Sequence, residues 1–202
     1  MPWWSMRWAA FFLLLMAACL HASEPTAVGE WSQAVRGLRG RLLLAEDAPF
    51  NGTRMVAVYL ELQNVSDVLN ALLVDFQPPD VDLVDADGKS IPQSHPPASV
   101  MTAWPHTLVL PNDSTLRFRV SVQGYGIPKD GGVALQFDTA CWIVPLDGAE
   151  EKYLRGSFVA SESSRGGTEG QRQDSERGNR AWRGTLHLPR IKVPPSAPAR
   201  TP

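Results

Sequence analysis

Beyond residue 22, Cys141 with His95, His106, His187 and Met101 invites a copper-site reading. A blue-copper centre uses two histidines, a cysteine and an axial methionine, and the last histidine and the methionine follow shortly after the cysteine. Here Trp142, Ile143, Val144 and Pro145 follow Cys141, so that pattern is absent. His95, Met101 and His106 share one proline-rich stretch, and their spacing fits no zinc template. They are read as surface residues, and no metal or other cofactor is expected.

Hydrolytic and nucleotide chemistry find no anchor either. Gly-x-Ser-x-Gly, His-Glu-x-x-His and paired cysteines do not occur. Asp85-Ala86-Asp87-Gly88 carries part of a calcium loop. Placing Gly88 on the loop glycine puts Leu83 at the first ligand position and Ser94 at the last, where carboxylates are required. The segment is therefore read as a hairpin turn. Gly124-Tyr125-Gly126 lacks the third glycine of a dinucleotide loop, and no helical pattern follows it. Asn51-Gly52-Thr53, Asn64-Val65-Ser66 and Asn112-Asp113-Ser114 have the form of glycosylation sequons. Asparagine and serine also serve the backbone of turns, and these three are read as turn chemistry.

What remains is binding chemistry. Trp104, Trp142 and Trp182 would stack on a sugar or anchor a protein partner if they shared an open face. Trp142 stands in an apolar run and is expected in the core. Trp104, among prolines, and Tyr125, in a glycine-rich loop, are the expected interaction surface. Arg117 and Arg119 are expected to be a solvated strand face.

These residues need elements to position them. The chain of 202 residues has a net charge of −2 and no basic stripe, so nucleic acid is not an expected partner. Residues 1–22 read as a secretory signal helix: Arg7, an apolar run over 8–20 too short to span a bilayer, then small residues up to Ala22. Met16-Ala17-Ala18-Cys19 offers a second fate, since it matches a bacterial lipobox except that leucine is usual where Met16 stands. Cys19 would then be acylated and anchor the protein. Membrane contact is expected only through the signal peptide or that lipid. Cys141 is the one cysteine left inside the chain, so the core must hold without an intrachain disulfide.

Residues 23–30 read as a polar leader and 31–193 as one domain. Within it, strands are expected at 38–45, 55–63, 72–76, 81–84, 107–110, 116–122, 133–137, 153–160 and 182–188, the last extended through Ile191 and Val193, and 141–144 reads as a buried apolar run. Over 107–122 the pattern reads strand, turn, strand. Leu116, Phe118, Val120 and Val122 share one face, opposite Arg117, Arg119, Ser121 and Gln123. Residues 161–180 carry glycines, charges and hydroxyls and are expected to be a disordered loop. Residues 194–202 form a Pro-rich tail. Short alternating strands, turn signals and no amphipathic helix point to an all-β antiparallel sandwich of immunoglobulin-like type, with about eight or nine strands.

The order Leu60-Glu61-Leu62-Gln63-Asn64-Val65-Ser66-Asp67, then 81–89, then Leu108-Val109-Leu110-Pro111-Asn112-Asp113-Ser114 before an alternating strand resembles bacterial immunoglobulin-like domains. The intracellular proteinase-inhibitor domain of bacilli is one example. Residues 31–38 resemble the start of small exported planctomycete β-sandwich domains. The resemblance implies the fold over about residues 31–193. It does not carry inhibition, because no inhibitory loop residue matches and an export signal is at odds with an intracellular role. The function expected is that of an exported, non-enzymatic sandwich, an interaction or structural module at the cell envelope, with an envelope protein or glycan as partner. A carbohydrate-binding module is the alternative, and a hydrolase with dispersed catalytic residues is the third reading.

Overall fold

The computed structural model describes residues 24–67, 71–94, 107–122, 132–145, 150–160 and 180–194. The expected signal segment with Cys19, residues 161–179 of the segment expected to be a disordered loop and residues 195–202 of the expected tail lie outside them, and Arg180, expected in that loop, instead opens a strand. Among the described residues the fold is all-β. The strands are β1 (Ala27–Val28), β2 (Leu38–Phe50), β3 (Thr53–Asn64), β4 (Ala71–Asp75), β5 (Asp80–Val84), β6 (Thr107–Pro111), β7 (Thr115–Arg119), β8 (Val133–Gln136), β9 (Cys141–Val144), β10 (Tyr153–Ala160), β11 (Arg180–Trp182) and β12 (Gly184–Lys192).

A long hairpin, β2–β3, is the spine. Asn51 (φ 50°) and Gly52 (φ 81°) take the two left-handed positions of its turn, as an Asn-Gly pair favours. Leu42, Leu44, Val56, Val58, Leu60 and Leu62 all point to one side and are buried. Removing each from water contributes about 1.5–3 kcal/mol gross. The main sheet runs β1-β2-β3-β8-β9. One edge of β3 is shared by two strands: β7 pairs antiparallel with residues 59–63, and β8 pairs parallel with Arg54 and Met55. The hand-over occurs where Val120 and Ser121 both donate to the Val58 carbonyl, a bulge after which Val122 turns to Gln136.

Two three-stranded sheets, β12-β10-β5 and β11-β4-β6, account for the other strands among the described residues. Leu154, Phe158, Leu186, Leu188, Leu72, Val74, Leu108 and Leu110 from these sheets join the inward side chains of the main sheet in one core, giving a sandwich-like arrangement. Gly40 marks the close approach of layers: a Cβ there would stand 3.0 Å from Leu188 Cδ2 and 3.4 Å from Leu186 Cδ1.

Four expectations change. The sheets are mixed rather than purely antiparallel, since β3 with β8 and β11 with β4 run parallel. Residues 107–122 are not a hairpin. β6 pairs with β4 and β7 with β3, so the arms flank the 111–114 turn but belong to different sheets. Alternation shows which face is dry and leaves the pairing partner open, and here both dry faces look into one core from different sheets. The expected last strand is two. Trp182 closes β11 beside β4, and the chain enters the other sheet at Gly184, where a Cβ would come within 3.2 Å of the Trp182 ring. The leader, finally, is paired chain. Ala27 and Val28 face Leu44 and Leu43 on β2, and Ser32 and Val35 continue the contact with Gly40 and Leu38.

Candidate functional site

The outward face of the main sheet is where the described residues gather most of their polar chemistry. Its rows follow from register. Arg39 on β2 stands opposite Gln63 on β3, which stands opposite Thr115 on β7; the next row is Arg41, Glu61, Arg117, and the third is Leu43, Tyr59, Arg119. Glu61 is only 4 % exposed, and its two oxygens are divided between strands. Oε2 accepts from Arg41 Nε at 2.6 Å, and Oε1 accepts from Arg117 Nε at 3.1 Å and Nη2 at 3.0 Å. Arg119 pairs with Asp47 on this face, and Arg54 pairs with Glu46 on the other side of the hairpin, at its turn end. Arg39 donates through Nε to Gln63 Oε1 at 2.8 Å.

Trp31 roofs one end of this face. The guanidinium carbons of Arg39 and Arg41 lie 4.7 and 4.2 Å from its ring centroid, a cation–π stack worth about 0.5–1 kcal/mol per pair when exposed. Arg117 and Arg119, expected as a simple wet face, are thus ion-paired, and Ala57 and Leu43 on the same side are buried. Met55, Ala134, Phe50 and Ile143 make a second small apolar cluster away from the main core.

The outer face of the β12-β10-β5 sheet carries separate groups. Arg155 pairs with Asp82 at 2.9 Å, and Arg190 lies over Tyr153 at 4.6 Å. Glu151 bonds both Lys192 and Tyr153. The Lys192 hydrogen bond holds the Glu151 carboxyl below its usual range, and Glu151 in turn raises both Lys192 and the Tyr153 phenol. Asp80, Ser157 and His187 also form one row across β5, β10 and β12. A catalytic relay needs histidine between carboxylate and serine. Here serine is central, so the carboxylate stands two strands from the imidazole it would have to orient.

Of the residues singled out from sequence, Trp104, Tyr125, His95, Met101, His106 and Cys19 lie outside the described residues. Trp142 is core as expected, its indole N–H donating to the Ile91 carbonyl at 2.9 Å. Trp182 is also core: it stacks on Phe158 and donates to the Val35 carbonyl at 2.7 Å. Neither offers a sugar platform. Asp85 to Gly88 is the hairpin turn expected, with Lys89 N–H donating to Asp85 Oδ1 and Gly88 at φ 83°. Asn64 is fully buried within its sequon, whereas Asn51 and Asn112 are exposed in their turns. Cys141 is buried, and burial pushes its thiol up from the ordinary value. Among the described residues no group of histidine, cysteine and carboxylate side chains is placed to hold a metal ion, and no helix is long and apolar enough to cross a membrane.

Sequence reading missed Trp31 and the Arg41–Glu61–Arg117 row. The signal for the row was a lone acid on the polar side of β3, with arginines on the polar sides of two other strands. No family model, no curated protein and no solved structure matches the chain.

Proposed function

We propose that this chain is an exported, non-enzymatic β-sandwich of immunoglobulin-like type, acting as an interaction or structural module at the cell envelope. The observation that carries the reading is the arrangement of the main-sheet face. Its charged side chains are matched to one another in rows across β2, β3 and β7. Catalysis concentrates polar groups with shifted pKa values in a cleft, whereas a binding face displays arginine, tryptophan and tyrosine on a rigid support. Trp31, Tyr59 and the arginines beside them have that composition. The resemblance of residues 60–67, 81–89 and 108–114 to bacterial immunoglobulin-like domains supports the fold type, and the signal-like residues 1–22 support export.

The test is cross-linking in the native envelope. A photoreactive amino acid replacing Tyr59 should yield a discrete protein adduct, and the same group replacing Ala86, in the turn after β5, should not. Adducts at neither position, together with turnover of a model ester or glycoside by the purified chain, would overturn the reading. Intact mass decides the anchoring: acyl chains on Cys19 mark a lipoprotein, and a free Ser23 amino terminus marks a secreted one.

A further inference from the structure

We propose that the outward face of the main sheet, from Trp31 across Arg39 and Arg41 to Arg117, docks a carboxylate-rich protein segment. This rests on the interaction-module reading and names the partner's chemistry.

Charge gives the first argument. Arg39, Arg41, Arg117 and Arg119 share the face with the carboxylates of Glu61 and Asp47, and the exposed Glu30 stands at its edge beside Trp31, so the cations still outnumber the acids. The face is therefore positive on a chain whose net charge is −2. Its complement is an acidic surface, and complementary potentials raise association rate and fix register.

Free donors give the second. Glu61 takes Nε of Arg41 and Nε and Nη2 of Arg117, and Gln63 takes Nε of Arg39. Among the described residues the terminal nitrogens of Arg39 and Arg41 have no hydrogen-bond partner. These are the forks that receive carboxylates bidentately. They are also pre-organised: stacking under Trp31 and the Nε bonds restrain both guanidinium groups before a partner arrives, which lowers the ordering cost of binding.

Aromatic geometry favours protein over glycan. The inner face of the Trp31 ring is stacked on two guanidinium groups, which makes its surroundings cationic, and Tyr59 is half-buried in the row between Leu43 and Arg119, so the face is not the pair of open aromatic platforms a neutral sugar needs. Val28, 53 % exposed beside Leu43, supplies an apolar rim suited to a protein surface.

The experiment measures binding of the full chain to poly-L-glutamate and to polygalacturonate, at low salt and at about 0.15 M salt. The parent should bind poly-L-glutamate in a salt-dependent way and more tightly than polygalacturonate. Arg39→Glu should weaken that binding by about tenfold or more, Arg39→Lys should weaken it less, and Arg190→Glu on the other sheet should leave it within about twofold. Thermal unfolding checks each variant, and Arg39→Gln replaces Arg39→Glu if the latter fails to fold. Preference for polygalacturonate, equal loss in Arg190→Glu, or no binding by the parent each overturns the proposal. The Tyr59 cross-link is independent of these probes, so a protein adduct there with no binding to either polymer sinks the acidic partner and leaves the module reading standing.

Discussion

Asn64, the last residue of β3, donates its side-chain N–H to the carbonyl of Leu110 at 3.0 Å, and this bond fastens the main sheet to the sheet that contains β6. The same amide accepts from Ser66 N–H at 2.9 Å, and the Asn64 backbone N–H donates to Ser114. One fully buried side chain thereby holds both the turn that leaves β3 and the arch between β6 and β7.

Replacing it should therefore cost more than an average hydrogen bond. Asn64→Ala removes the donor to the Leu110 carbonyl, which lies in the buried part of the site, and the acceptor of the Ser66 N–H. About 1–3 kcal/mol is expected for each group left unsatisfied. Urea unfolding should show a lower midpoint with an unchanged slope. A glycan on Asn64 is incompatible with this fold, so enzymatic modification of the folded chain should reach Asn51 or Asn112 and leave Asn64 bare, as peptide mapping would show.

Cys141 gives a pH prediction. Burial disfavours the thiolate and raises the Cys141 thiol above its ordinary value. The unfolded thiol therefore ionises first as pH rises. The sign follows: this contribution is fully present below the unfolded pKa and is lost as pH climbs from about 9 towards the folded pKa. Because the thiolate is the nucleophile, iodoacetamide should label Cys141 slowly in the native chain carrying Cys19→Ser, and fast in denaturant. Rapid native labelling at neutral pH would contradict this burial.

The spine of the fold was legible because its signals are local. Asn51-Gly52 needs two left-handed residues, and the alternation in 55–63 shows its dry face without reference to any partner. Pairing was less legible. With Phe50 opposite Thr53, strict register would put Arg41 against Leu62 and mix the faces. An irregularity between Asp47 and Phe50 shifts the register by one and brings Arg41 to Glu61. Pro49, with no N–H to give the ladder, stands in that bulge. Trp182 shows the other limit. Its ring reads equally well as a binding platform until a contact 147 residues away, the Val35 carbonyl, is seen to take its N–H.

Gly37 and Gly52 offer a matched pair for backbone strain. Both have φ 81°, and each follows a residue at φ 50°, Arg36 or Asn51. A Cβ on Gly52 meets nothing within 4 Å, whereas one on Gly37 would lie 2.6 Å from Ser66 Cβ. Gly52→Ala should cost about 1 kcal/mol, the left-handed penalty alone. Gly37→Ala should cost clearly more, because Ser66 sits in the turn that Asn64 holds. Equal losses in the two variants would mean that the 64–67 turn yields freely. At Arg36, Asn or Gly in place of arginine should raise the melting temperature, since a long side chain gains nothing from φ 50° and its exposed bond to Arg183 is weak.

The row of Arg41, Glu61 and Arg117 separates two readings of a buried charge. Glu61 is nearly inaccessible, while the side chains of Arg41 and Arg117 keep 24 % and 42 % of their exposure. Burying a carboxylate costs several kcal/mol, and the paired guanidinium groups offset most of it. Glu61→Leu removes the acid and leaves both arginines facing an apolar side chain. Arg117 is exposed enough to swing into water, but Arg41 is held beneath Trp31. The single variant should therefore lose about 1–2 kcal/mol, less than the range for a fully buried pair because the Arg41 guanidinium keeps part of its exposure. Adding Arg41→Met removes the stranded cation and replaces the stack with a thioether against the indole, so the double variant should recover most of the loss. Chemical denaturation of the parent, both single variants and the double closes this cycle. A double variant as unstable as Glu61→Leu alone would show that the carboxylate positions β7 against β3 in a way no apolar contact replaces. Poly-L-glutamate binding by the double variant adds a readout that stability cannot mimic: with Arg41 gone and Arg39 kept, affinity should fall by less than it does in Arg39→Glu.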